Sequence, residues 1–132
     1  LRLSPLNSFN DMQDTNPLAL TQHLAQLLNE YRLAYVHLMR SDFYGKQSGD
    51  VLSIMREYYK GVLIANMGYT VEEAQQAVKS GLVDAIAFGT AYIANPDLVE
   101  RIQQGAPLNQ ADASTFYSAG EVGYNDYPTF SS

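Results

Sequence analysis

The stretch "DAIAFGTAYIANPDL", residues 84–98, decides the fold. An apolar, partly β-branched run, Asp84 to Phe88, leads into Gly89. A segment of helical character follows, with Asn95-Pro96 supplying the N-cap and first-turn proline of another helix. Strand, tight glycine turn and helix in that order form a βα unit. Such a turn at the C-terminal end of a barrel strand is a place where backbone amides can hold a phosphate.

Working outward, three more units of the same kind precede it. "LRLSP" at the start ends a strand that Pro5 stops, because proline cannot donate to a ladder. Asn16-Pro17 then caps a helix in which Leu20, Leu24, Leu27, Leu28 and Tyr31 recur at helical spacing. "LAYVHLM", 33–39, is a buried strand, and "GDVLSIMREYY" a short helix. "GVLIAN", 61–66, is the third strand. Thr70 with Glu73 makes a capping box, Val71, Ala74 and Val78 line one face, and Gly81 closes the helix. Leu98, Val99 and Ile102 give the last helix its buried side. The tail from Ser114 is rich in Tyr and Gly and is expected to be loop.

Strands apolar throughout, alternating with amphipathic helices, predict a parallel sheet covered by helices. Two architectures fit: a doubly wound open sheet, or four units of a (β/α)8 barrel. With 132 residues, 46% of them hydrophobic and 17% charged, the chain has the composition of one folded domain, 1–132. A net charge of −6 argues against a nucleic-acid partner. There is no cysteine, so disulfides, a thiol nucleophile and cysteine metal sites are excluded. No apolar run approaches 18 residues, so no membrane partner and a cytoplasmic location are expected. The first residue is Leu1, so either the start is processed or the chain is part of a longer one.

The segments "RLSPLNSFNDM", "LAYVHLM", "GVLIANMGYTVEEAQQAVKSGLVDAIAFGTAYIANPDLVERIQQGAPLN" and "TFYSAGEVGYNDYP", in that order, resemble the C-terminal half of the Old Yellow Enzyme family. Those proteins are ene-reductases that bind flavin mononucleotide (FMN) on a TIM barrel. The resemblance selects the barrel: an α/β half of a TIM (β/α)8 barrel, with parallel strands 5–8 and a Tyr/Gly-rich C-terminal loop. It implies FMN as cofactor, reduction by NAD(P)H and hydride transfer to an activated alkene.

The same resemblance assigns positions. Arg2 corresponds to an arginine near the N1/C2 side of the flavin, where a guanidinium stabilises charge on the reduced ring. Met67 and Gly68 fall in the turn after the seventh strand, and Gly89 and Thr90 in the turn after the eighth; both turns approach the phosphate. The family usually has small residues where Met67 stands and an arginine where Thr90 stands, so weak flavin retention is expected. Tyr117 corresponds to an aromatic on the substrate side of the pocket. No catalytic or metal-ligating residue is assigned. His37, alone in its strand, is expected to be a satisfied core residue, His23 to be surface, and Asp42, Asp50 and Glu57 to be ordinary carboxylates.

The family's carbonyl-binding and proton-donating groups precede the fifth strand. The implied function is therefore an Old Yellow Enzyme-like NADH:flavin oxidoreductase half-barrel with a remnant FMN site, not competent alone. The alternatives are a fragment of an active enzyme completed by a missing N-terminal half, or a non-enzymatic self-associating module. Open strand edges and an uncovered apolar face predict a homo-oligomer or pairing with that missing half-barrel.

Overall fold

The computed structural model describes residues 1–118 and 120–130. Its contacts divide the chain into two compact units, Leu1–Ala87 and Phe88–Ser132.

The first unit contains β1 (Arg2–Leu3), α1 (Pro17–Leu27), β2 (Val36–Met39), α2 (Val51–Tyr58), β3 (Leu63–Asn66), α3 (Val71–Lys79) and β4 (Ala85–Ile86). The four strands form one sheet in the order β1-β2-β3-β4, every pair parallel. The register aligns Arg2, His37 and Ile64 with Ala85, and Leu3, Leu38 and Ala65 with Ile86. Register partners share a face, and successive residues alternate between faces. Val36, Leu38, Leu63 and Ala65 are fully buried on the helix side, among Ala25, Val51, Met55 and Val83. Fully burying a side chain such as Leu38 contributes about 1.5–3 kcal/mol. The opposite face carries Arg2, His37, Ile64 and Asn66.

Local signals set the helix starts. Asn16 accepts from the Ala19 amide at 3.1 Å, with Pro17 opening α1. Asp50 accepts from Ser53 at 3.0 Å to start α2. The capping box before α3 is complete: Thr70 Oγ1 accepts from the Glu73 amide, and Glu73 Oε2 accepts from the Thr70 amide, each at 3.1 Å. Gly81 follows α3 at φ 75°, the left-handed conformation expected of a helix terminator.

Tertiary packing shifted two stripes. In α1, Leu20, Leu24 and Leu27 are half-buried and Leu28 just beyond it is buried, as expected, but Tyr31 is exposed and the deepest residues are Ala25 and Thr21, whose hydroxyl is hidden by donating to the Pro17 carbonyl at 2.7 Å. In α3, Ala74 and Ala77 are buried and Val78 is exposed, since two alanines allow close approach to the sheet.

The second unit holds α4 (Thr90–Ala94), α5 (Leu98–Gln104) and a 3-10 turn at Ala113–Thr115. Here the expected N-cap at Asn95 is corrected. Asp97 occupies the N-cap position of α5, without a side-chain capping bond. Asn95 ends α4 instead and is wholly buried. Its Nδ2 donates to the Ala91 and Asn109 carbonyls, and its Oδ1 accepts from the Asn109 amide at 2.7 Å. A long-range partner outcompeted the local cap. Leu98 is buried as expected, whereas Val99 is exposed.

The Tyr/Gly-rich tail is loop, and it is anchored. Arg101 is 4% exposed; it pairs with Asp97 at 2.8 Å and donates to the Pro107 and Pro128 carbonyls at 2.6 and 2.9 Å. Asp97 also accepts from the Phe130 amide at 2.6 Å. The guanidinium satisfies carbonyls that a loop would otherwise bury without partners.

Candidate functional site

Parallel pairing puts the C-terminal ends of β1 to β4 at one end of the sheet. Arg2 is exposed and stands in register with His37. His37 departs from expectation: its Nε2 is buried without a hydrogen-bond partner, as is Oδ1 of Asn66 on the same face. Burial first, and the Arg2 charge second, push the His37 imidazole below its ordinary value, partly offset by Asn66. The charged form of the ring is thus disfavoured beside an exposed cation.

The turn after β3 is the most constrained part of this end. Met67 has φ 91° and Gly68 φ 65°. Positive φ suits glycine and strains methionine, which is the physical reason small residues favour such a turn. Met67 is half-buried, and a Cβ added at Gly68 would meet nothing closer than Arg40 Nη2 at 4.0 Å. The turn borders a cleft of about 980 Å³ that also has Arg40, Asp50, Tyr69 and Glu73 in its lining.

Arg40, the first residue beyond β2, organises that turn. Its amide donates to the Asn66 carbonyl at 3.2 Å, its Nε to the Met67 carbonyl and its Nη2 to the Gly68 carbonyl, both at 2.8 Å. The guanidinium lies 3.6 Å from the Tyr69 ring centroid and pairs with Glu73 at 3.2 Å. Burial pushes the Tyr69 phenol up against the pull of Arg40. The Gly68 and Tyr69 amides have no acceptor among the described residues.

Asp42, two residues further on, is no ordinary carboxylate. It accepts five hydrogen bonds: from the Ser8 amide and hydroxyl, and from the amides of Tyr44, Lys46 and Gln47. Burial works to raise its pKa, but the donors, Ser8 foremost, hold it far below the usual carboxylate range. Gln47 Nε2 also donates to the Leu6 carbonyl at 3.0 Å. The loops after β1 and β2 are therefore one fastened unit.

In the second unit, Gly89 precedes α4 with no side-chain cap, and a Cβ added there would meet nothing within 4 Å. Thr90 is exposed. Gly89, Tyr92, Tyr124 and Tyr127 help line a cleft of about 450 Å³. Tyr117 is fully exposed and outside that lining.

The unpaired amides beside open Gly68 fit a phosphate ester such as that of FMN, and the exposed Arg2 fits an electron-rich ring. The cation that would complete a phosphate pair is not supplied by Arg40, whose guanidinium is occupied by two carbonyls and Glu73. Arg40 and Arg101 escaped the sequence reading, and Asp42 was read as an ordinary carboxylate; only Arg40 had a usable signal, its place directly after a strand at the functional end of a βα unit. Among the described residues no cluster of three His, Cys, Asp or Glu side chains could hold a metal, and no helix is long and apolar enough to cross a membrane.

Comparison with known proteins agrees with this fold. The chain is 52% identical to a probable flavin mononucleotide-dependent alkene reductase of Leishmania infantum, over 97% of this chain and 35% of that protein. It is 40% identical to 12-oxophytodienoate reductase 2 of Arabidopsis thaliana, over 100% of this chain and 37% of that one. The old yellow enzyme of Trypanosoma cruzi superposes with a TM-score of 0.96 at 51% identity, over 98% of this chain and 34% of that structure. The fold is thus the expected α/β portion of a TIM barrel, and the chain spans about a third of the length of the relatives it matches. The profile of the NADH:flavin oxidoreductase / NADH oxidase family matches residues 1–109, and this chain belongs to that family.

Proposed function

We propose that the chain is the FMN-phosphate-binding part of an FMN-dependent NAD(P)H:alkene oxidoreductase. The observation that carries this reading is the turn after β3, where the Gly68 and Tyr69 amides are unpaired beside an open glycine. In the first unit, the turn at Met67 and Gly68 would serve the phosphate through the Gly68 and Tyr69 N–H groups, and Arg2 the flavin ring. In the second unit, Gly89 and Thr90 are the residues that the family resemblance sets in a phosphate turn, and they carry an amide and a hydroxyl but no charge. FMN, when bound, supplies two-electron hydride chemistry. The contribution of this chain is binding and orientation: amides for the phosphate, and a cation at Arg2 for charge on the ring.

Thr90 carries no charge, so the phosphate is held by neutral donors. A charge-assisted bond contributes about 1.5–3 kcal/mol, and its absence makes retention weak. Turnover would further require groups from the remaining two thirds of the relatives' length, within a longer chain or on a separate one. The reading is tested by titrating the protein with FMN and with riboflavin, following quenching of flavin fluorescence. Tighter binding of FMN, by about tenfold, is expected; equal affinities, or no binding of either, would sink it.

A second reading, self-association, is favoured by a specific observation: β1 and β4 are the edges of the sheet. Edges present unpaired backbone groups that another chain can extend.

A further inference from the structure

We infer that Arg40 is a positioning residue for cofactor binding: it holds the strained turn at Met67–Gly68 so that the Gly68 and Tyr69 amides face a phosphate. This inference rests on the proposed FMN reading.

The argument begins with the peptide plane. In a trans peptide the carbonyl and the N–H of the same plane point in opposite directions. The Met67 carbonyl shares its plane with the Gly68 N–H, and the Gly68 carbonyl shares its plane with the Tyr69 N–H. Arg40 takes both carbonyls, at 2.8 Å each, through different nitrogens of one rigid guanidinium. Both amides are thereby turned away from Arg40, and both lack an acceptor among the described residues. One side chain orients two donors.

The turn does not adopt this shape unaided. Met67 sits at φ 91°, a conformation that costs a non-glycine residue free energy. The network over-determines it. Besides the two carbonyls, Arg40 stacks on Tyr69 and pairs with Glu73, which also accepts from the Thr70 amide at the start of α3. The turn is clamped from the end of β2 on one side and from the helix cap on the other. Arginine suits this role because its planar fork reaches two acceptors in fixed geometry while its face stacks; lysine, with a single ammonium, does neither together.

Arg40 thus acts through the backbone and not as the phosphate's own cation. Two predictions separate these roles from each other and from simple structural support. First, Arg40→Met weakens FMN binding by about tenfold, while riboflavin, which lacks the phosphate, changes by less than about threefold. Arg40→Lys, which keeps the charge and is the milder change, weakens FMN in the same selective way. Equal losses for the two flavins, or wild-type FMN affinity in Arg40→Lys, would overturn the inference.

Second, strain and clamp are coupled. With Arg40 absent, Met67 relaxes, so part of the lost clamp is offset by released strain. In the Met67→Gly background there is no strain to release. Arg40→Met therefore lowers the melting temperature more in Met67→Gly than in the wild-type protein. Equal drops would overturn the inference. If the wild-type protein binds no FMN, the functional reading fails by itself, and this thermal cycle still decides whether Arg40 holds the turn.

Discussion

The carboxylate of Asp42 accepts both the amide and the hydroxyl of Ser8, at 3.0 and 2.8 Å, across 34 positions of the chain. That bond pair fastens the loop after β1 to the loop after β2. It rests on ionised Asp42, since an acceptor-only group faces five donors. Asp42→Asn places an NH2 group against those donors. The variant is expected to melt roughly 5 °C or more below the wild-type protein, measured by circular dichroism. The folded pKa lies below the unfolded one, so the stabilisation is complete above the unfolded value, 3.8, and is lost as pH falls below it. A melting temperature unchanged in Asp42→Asn at neutral pH would contradict this account.

His37 titrates with a consequence of the same sign, at higher pH. Its folded pKa is lowered from 6.5 by burial and by Arg2, so the unfolded chain binds the proton first. Stability is therefore full above pH 6.5 and declines as pH falls through that value toward the folded pKa. Denaturant unfolding from about pH 7 to pH 5 should show this slope, and His37→Gln should flatten it. A wild-type slope retained in the variant would assign the effect elsewhere.

Thr90 is the position where one substitution should add function. Thr90→Arg supplies a guanidinium next to Gly89. If the turn lies by the phosphate, FMN affinity rises by roughly tenfold to a hundredfold, the equivalent of one charge-assisted pair. Riboflavin serves as the control and should not respond. Identical FMN affinity in the variant and the wild-type protein would remove the turn after β4 from the phosphate site.

Arg101 predicts a dynamic effect. With its guanidinium replaced in Arg101→Met, the Pro107 and Pro128 carbonyls and the Asp97 carboxylate lose a buried partner. Amide exchange in residues 107–130 should accelerate by about tenfold or more, while the strands of the first unit keep their protection. Unchanged exchange would mean that other bonds, among them those of Asn109, Tyr127 and Asp97, hold the tail without it.

Self-association is checked by light scattering after gel filtration. The proposed edge pairing predicts a mass of at least twice 14.6 kDa at micromolar concentration. A stable monomer there would exclude it.

The sequence by itself determined the order of βα units, the helix starts at Asn16 and Thr70, the stop at Gly81 and the family. These depend on neighbours within a few residues, so local chemistry writes them plainly. Tertiary structure decided the rest. Asn95 carries a local cap signal, yet its side chain is taken by Asn109, 14 positions away. Arg40 and Asp42 look like loop residues until folding brings them to Gly68 and Ser8. His37 reads as a satisfied core residue, and only the fold, which sets it in register with Arg2 on the same face as Asn66, reveals an unpaired nitrogen. The physical reason is the same in each case. A polar side chain's partner is chosen by which backbone groups folding leaves unpaired nearby, and sequence spacing does not record that.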